Sequence, residues 1–336
     1  LFMKNIFIEK NLLFVLSFFF IIFVFINFTH NHFSKYQIND NNLYSKLTPV
    51  QFKNVINTAL TSEETYETVL NKKCEVTGNM HDRHKVRWIK YQFLKSIYQT
   101  VGHINPSLPY YVNIILHSLI IFLSLIVADR IFNLSKRYIL FFLLYITFIF
   151  QNYLGEYSFS IFEMFFAFVA LYASKKKNII LFTAACLMAV LNRESGFILL
   201  SFWLLFNKDF KMLLVSFISV LIIFLIINFD TIRCIVNPKF FIPLEYQGGQ
   251  INWADLESLN IFSVVKLILI NFVFPFGIIF YNYIKNKISN IYFLIITAIY
   301  LLTFSIATPL HHVAEKMIIL PLIIFSFYLT NSKSTS

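Results

Sequence analysis

Charge is scarce in this chain: Asp, Glu, Lys and Arg make up 13% of its 336 residues, against 58% hydrophobic ones. A soluble domain carries about a quarter charged residues, and a mean hydropathy of +0.68 excludes a wetted surface of that kind. The composition therefore points to an all-α polytopic membrane protein. Cysteine is scarcer still, three in all, which excludes a disulfide framework, and no CxxC pair offers a metal signature. Cys74 and Cys234 fall in extramembrane loops, as a disulfide or as two free thiols, while Cys186 falls inside an apolar run and reads as core. The 42 Phe accompany abundant Ile, Asn and Lys, as drift in an AT-rich genome produces, and mark no site.

What is present is a series of apolar runs at 12–28, 110–128, 138–154, 157–173, 178–191, 197–207, 212–229, 260–281, 290–308 and 317–330. They predict about ten transmembrane helices. The first run lacks a small-residue cleavage pattern and is read as an uncleaved span. The expected organisation is a tail and first span at 1–28, an extracytoplasmic loop at 29–109 holding a small helical subdomain, a helical membrane domain at 110–330, and a cytoplasmic tail at 331–336.

The net charge of +11 follows from that layout and requires no nucleic acid. With both termini inside, thirteen basic residues, among them Lys4, Lys10, Arg130, Lys136, Arg137 and Lys175 to Lys177, fall on the cytoplasmic side. The short outer segments hold five: Arg193, Arg233, Lys239, Lys266 and Lys316. That bias, with the long first loop set aside, predicts N-in and C-in. The loop 29–109, the turn at 151–157, the turn at 192–196, the loop 230–258 and residues 308–316 then share the outer face, which favours a single outer site.

Within the first loop, Pro49–Leu70 and His84–Tyr98 read as helices, the former opening on Thr48-Pro49. Val86, Ile89, Phe93 and Ile97 line one face of the second, and Arg83, Arg87 and Lys90 another. Such a helix, with Trp88 and Tyr91, lies in the membrane interface, either as an anchor or as a reader of lipid-linked phosphate. Asp40 and Asp82 are the isolated carboxylates of the loop, whereas Glu63, Glu64 and Glu67 form a solvated face. Further on, Trp253 reads as an interface anchor, and His311-His312 point about 100° apart on a helix, with no partner four residues away, so no metal site is predicted.

The stretch Asn192-Arg193-Glu194-Ser195-Gly196 interrupts what would otherwise be one apolar run from Ile179 to Phe206. The two arms are too short to cross a core of about 30 Å without tilt or thinning, so the turn is drawn below the surface or covered by the first loop. A charged pair at that depth marks a functional site; the alternative is a plain charged turn between spans.

These features resemble the GT-C-like superfamily of polytopic membrane glycosyltransferases, in particular bacterial relatives of the polyprenyl-phosphate-sugar-dependent type. The resemblance is carried by a first span followed by a long outer loop, the segment HDRHKVRWIKYQFL, the turn LNRESGF, and AEKMIILPLIIF opening the last span. It implies an enzyme of the bacterial plasma membrane that transfers a sugar from a polyprenyl-phosphate donor to a glycan or lipid acceptor at the outer leaflet. It further implies a carboxylate base, Asp40 or Asp82, and cations that offset the charge of the leaving lipid phosphate, drawn from Arg193, Lys316, Arg83 and Arg87, with Glu194 holding Arg193. Members usually place paired acids early in the first loop. Here Asn39-Asp40-Asn41-Asn42 offers a single carboxylate. No cofactor is required, although the resemblance leaves room for a divalent metal. The alternatives are a polymerase or flippase for lipid-linked polysaccharide, which shares the outer cations but wants a larger late outer loop than 230–258, and a secondary transporter, which wants a second interrupted span in the other half.

Overall fold

The structure, a computed structural model, describes residues 10–24, 108–153, 159–227, 273–286, 290–307 and 319–333, with single positions at 26, 96, 100, 229, 261, 265, 268 and 269. Ten α-helices are numbered among these: α1 (Lys10–Val24), α2 (Leu108–Phe132), α3 (Lys136–Tyr153), α4 (Phe159–Lys175), α5 (Ile179–Asn192), α6 (Trp203–Phe206), α7 (Phe210–Ile227), α8 (Phe274–Asn286), α9 (Ile291–Ala307) and α10 (Ile319–Lys333). A 3₁₀ helix, Glu194–Phe202, joins α5 to α6. No strand occurs among the described residues. Two helical segments, Ile114–Phe132 and Phe210–Ile227, are long and apolar enough to cross a membrane; five further apolar helices are shorter. Apart from Ser96, Thr100 and the start of α2, the predicted outer subdomain at 29–109 lies outside the described residues.

The short turns of the chain carry their own stop and start signals. After α2, Asn133 adopts φ 48°, a left-handed position that Asn tolerates, and Asp129 Oδ1 accepts the Leu134 amide at 2.8 Å. After α4, Lys177 takes φ 55° and Asn178 caps α5 by accepting the Leu181 amide at 3.0 Å. Asp209 accepts the amides of Lys211 and Met212 ahead of α7, and Asn290 accepts that of Phe293 ahead of α9.

Side-chain contacts draw those turns to one end of the bundle. Lys10 pairs with Asp129 at 2.7 Å, so the start of α1 meets the end of α2 and the two helices run antiparallel. Lys175 Nζ donates to the Ile131 carbonyl and sits 5.1 Å from the centre of the Tyr328 ring. Asn207 Nδ2 donates to the Ser174 carbonyl at 2.8 Å, and Ser174 Oγ to the Phe202 and Trp203 carbonyls. Lys10 and Lys175 thus mark a common, basic end of the bundle.

The interior centres on α4, which packs on α2, α5, the 3₁₀ helix, α6 and α10. Phe325 of α10 joins rings from three other elements, Phe132, Phe206 and Phe293. Polarity runs opposite to that of a water-soluble fold. His117, Ser118, Glu163, Asn192 and Arg193 are buried, while α7 exposes Phe210, Leu214, Val215, Ile218, Ile222 and Ile226 and buries Ser216 and Val220. Hydroxyls inside helices return their hydrogen bond to the carbonyl four residues back, as at Ser17, Ser124, Thr147, Ser219 and Thr297, which satisfies them without water.

Candidate functional site

The break foreseen at 192–196 is one residue wide. Arg193 is extended (φ −164°, ψ 140°) and separates α5 from the 3₁₀ helix that begins at Glu194. Its amide still donates to the Ala189 carbonyl at 2.8 Å, and its carbonyl accepts the Gly196 amide at 2.9 Å, so the turn is tied on both sides. Gly196 then lies directly on α5. A Cβ there would stand 2.4 Å from the Ala189 carbonyl carbon and 2.5 Å from the Val190 nitrogen, and only glycine permits that approach.

The second arm differs from the α-helix expected of its apolar pattern, since nine residues adopt 3₁₀ geometry. The reason is reach. At a rise of about 2.0 Å per residue they cover about 18 Å, against about 13.5 Å in an α-helix. The stretched arm returns to the end where Ser174 and Asn207 hold it.

Around this break the structure assembles polar side chains from separate elements. Ser195 Oγ donates to Oε1 of Glu163, the fifth residue of α4. Glu163 is 0% exposed, Arg193 6% and Asn192 0%. Tyr300 of α9, also fully buried, lies within electrostatic reach of Glu163, of Tyr145 on α3 and of Arg193. His117 of α2 packs edge-on against Phe162, with ring centres 5.6 Å apart. The break and α4 are thus joined through Ser195 and Glu163, with Asn192 and Arg193 buried beside that contact in sequence and Tyr300 in electrostatic reach of both charges.

Its depth follows from the helices. From Glu163 to Lys175 at the basic end is about 18 Å of helix, and the 14 residues of α5 rise about 21 Å from Asn178 to the break. The locus therefore lies about 18–21 Å along the helices from the basic end.

Of the residues singled out from sequence, Arg193 is at this locus and Glu194 opens the 3₁₀ helix beside it. Asp40, Asp82, Arg83, Arg87 and Lys316 lie outside the described residues, as do Cys74, Cys234, Trp253 and His311-His312. Cys186 is a buried free thiol, as its position in an apolar run predicts. Glu163, Tyr145, Tyr300 and His117 escaped the sequence reading. Glu163 had a signal: it is a lone carboxylate within the run 157–173, and the rule that flagged Arg193 applies to it equally. The phenols had none, since Tyr within an apolar helix is indistinguishable from core. No cluster of three or more His, Cys, Asp or Glu suited to a metal occurs among the described residues. No protein-family model matches the chain, and neither a curated protein nor a solved structure matches it.

Proposed function

We propose that the chain is an integral membrane glycosyltransferase of the bacterial plasma membrane, spanning it about ten times with both termini inside. It transfers a sugar from a polyprenyl-phosphate donor to a glycan or lipid acceptor at the outer leaflet, in the synthesis of a cell-envelope glycan or glycolipid. The observation that carries this is the buried Arg193, set beside Glu163, Ser195 and Tyr300 in the half of an apolar bundle remote from its basic end. The lipid-compatible surface of α7 and the self-satisfied hydroxyls support the membrane setting. A buried cation suits a donor whose phosphate gains charge on transfer while its tail lies in lipid.

In the transfer, the acceptor oxygen bonds to the anomeric carbon as the bond from that carbon to the phosphate oxygen breaks. The acceptor proton passes to a loop carboxylate, Asp40 or Asp82, and the bonding pair leaves with polyprenyl phosphate. Arg193 offsets the charge gained by that phosphate, and Arg83, Arg87 and Lys316 hold it before and after transfer. Purified protein incubated with labelled polyprenyl-phosphate sugar tests this: release of polyprenyl phosphate supports the assignment, and its absence across hexosyl and pentosyl donors contradicts it.

A secondary transporter is the second reading, favoured by a carboxylate at membrane depth beside a helix broken at Arg193. Proteoliposomes distinguish the two, since a transporter moves solute down an imposed proton gradient with no donor present.

A further inference from the structure

Resting on that function, we infer that Glu163 is the positioning residue for Arg193, so that an intramembrane charge pair runs between α4 and the break. Four observations bear on it. Ser195, two residues beyond Arg193, donates its hydroxyl to the Glu163 carboxylate, which ties the break to α4. Glu163 and Arg193 are both buried, and a buried guanidinium requires a nearby anion. Tyr300 is within electrostatic reach of both charges. Gly196 lies close against the backbone of α5, three residues beyond Arg193.

The consequence is a division of labour within the site. Glu163 holds the break in place through Ser195, and its charge directs the Arg193 guanidinium at the locus. A misplaced Arg193 loses contact with the leaving phosphate in the transition state while the donor still binds through the loop cations, so damage falls on kcat more than on KM.

The test is a pair of cycles on the full chain in lipid nanodiscs. Thermal midpoints are measured for Glu163→Gln, Arg193→Met, both together, and Arg193→Met with Glu194→Gln. Each of the two single changes is expected to lower the midpoint. Glu163→Gln added to Arg193→Met is expected to recover most of the loss, because it removes the anion left behind, whereas Glu194→Gln recovers none. Recovery by Glu194→Gln alone, or by neither, overturns the inference. This arm uses no donor and stands whether or not the chain is a transferase. In the second arm, release of polyprenyl phosphate from the labelled donor is followed in Glu163→Gln and, should that variant not fold, in Ser195→Ala, which leaves both charges in place. A fall in kcat on the order of tenfold or more, with KM within about threefold, is expected. Unchanged kcat overturns the positioning role. Absence of release by the unmodified chain contradicts the transferase assignment and leaves the first cycle to decide the pairing.

Discussion

At the scale of single residues, Gly196 is where the fold tolerates least change. The Cβ of Gly196→Ala would meet backbone atoms of Ala189 and Val190 at 2.4 to 2.6 Å, and backbone cannot rotate aside as a side chain can. A loss of about 1–3 kcal/mol is expected, the cost of overpacking a well-filled site, read as a lowered unfolding midpoint in detergent. A midpoint equal to that of the unmodified chain would show that the 3₁₀ arm does not lie on α5 as described. Arg193 was legible in the sequence because a cation inside an apolar run is costly wherever the run is placed. Its surroundings were less so. Glu163 meets Ser195 from another helix, and a contact across 32 residues leaves no periodic trace.

Among the elements, α10 closes the bundle against α2, α3, α4 and α8, and Phe325 is where that closure concentrates. Its ring lies 5.3 to 6.0 Å from those of Phe206, Phe293 and Phe132. Phe325→Ala is predicted to cost about 3–5 kcal/mol, the range for deleting a buried aromatic, whereas Phe210→Ala on the exposed face of α7 should leave the midpoint in lipid nearly unchanged. Equal effects at the two positions would contradict the packing. Most described helices agree with the apolar runs to within a few residues, since length and apolarity determine them locally; the exception is the run 260–281, where the described helix is Phe274–Asn286. The 3₁₀ geometry of 194–202 does not follow from pattern, because its apolar residues suit an α-helix equally well. It arises from the distance the arm must cover, and Ser174 and Asn207 mark where it ends. Abundant Phe carried no positional information in sequence; only packing separates Phe325 from the 41 others.

For the molecule as a whole, the loop charges predict an orientation with both termini inside. Cysteine introduced at Ser62 or at Lys176 in a Cys-free background tests it: an impermeant thiol reagent added to intact cells should label position 62 and spare 176. Labelling of 176 from outside would invert the orientation and remove the outer-leaflet site with it. The buried polar locus, the broken helix and the apolar exterior support the proposed handling of a charged, lipid-linked substrate from within the membrane. The most direct measurement is release of polyprenyl phosphate from a labelled polyprenyl-phosphate sugar by the unmodified chain and by the double variant Glu163→Gln with Arg193→Met, both in nanodiscs. Release by the unmodified chain is predicted. The double variant should lose it by about a hundredfold or more, in line with removing a group that stabilises transition-state charge, while retaining most of its unfolding midpoint. Full activity in the folded double variant, or no release from any polyprenyl-phosphate sugar by the unmodified chain, would contradict it.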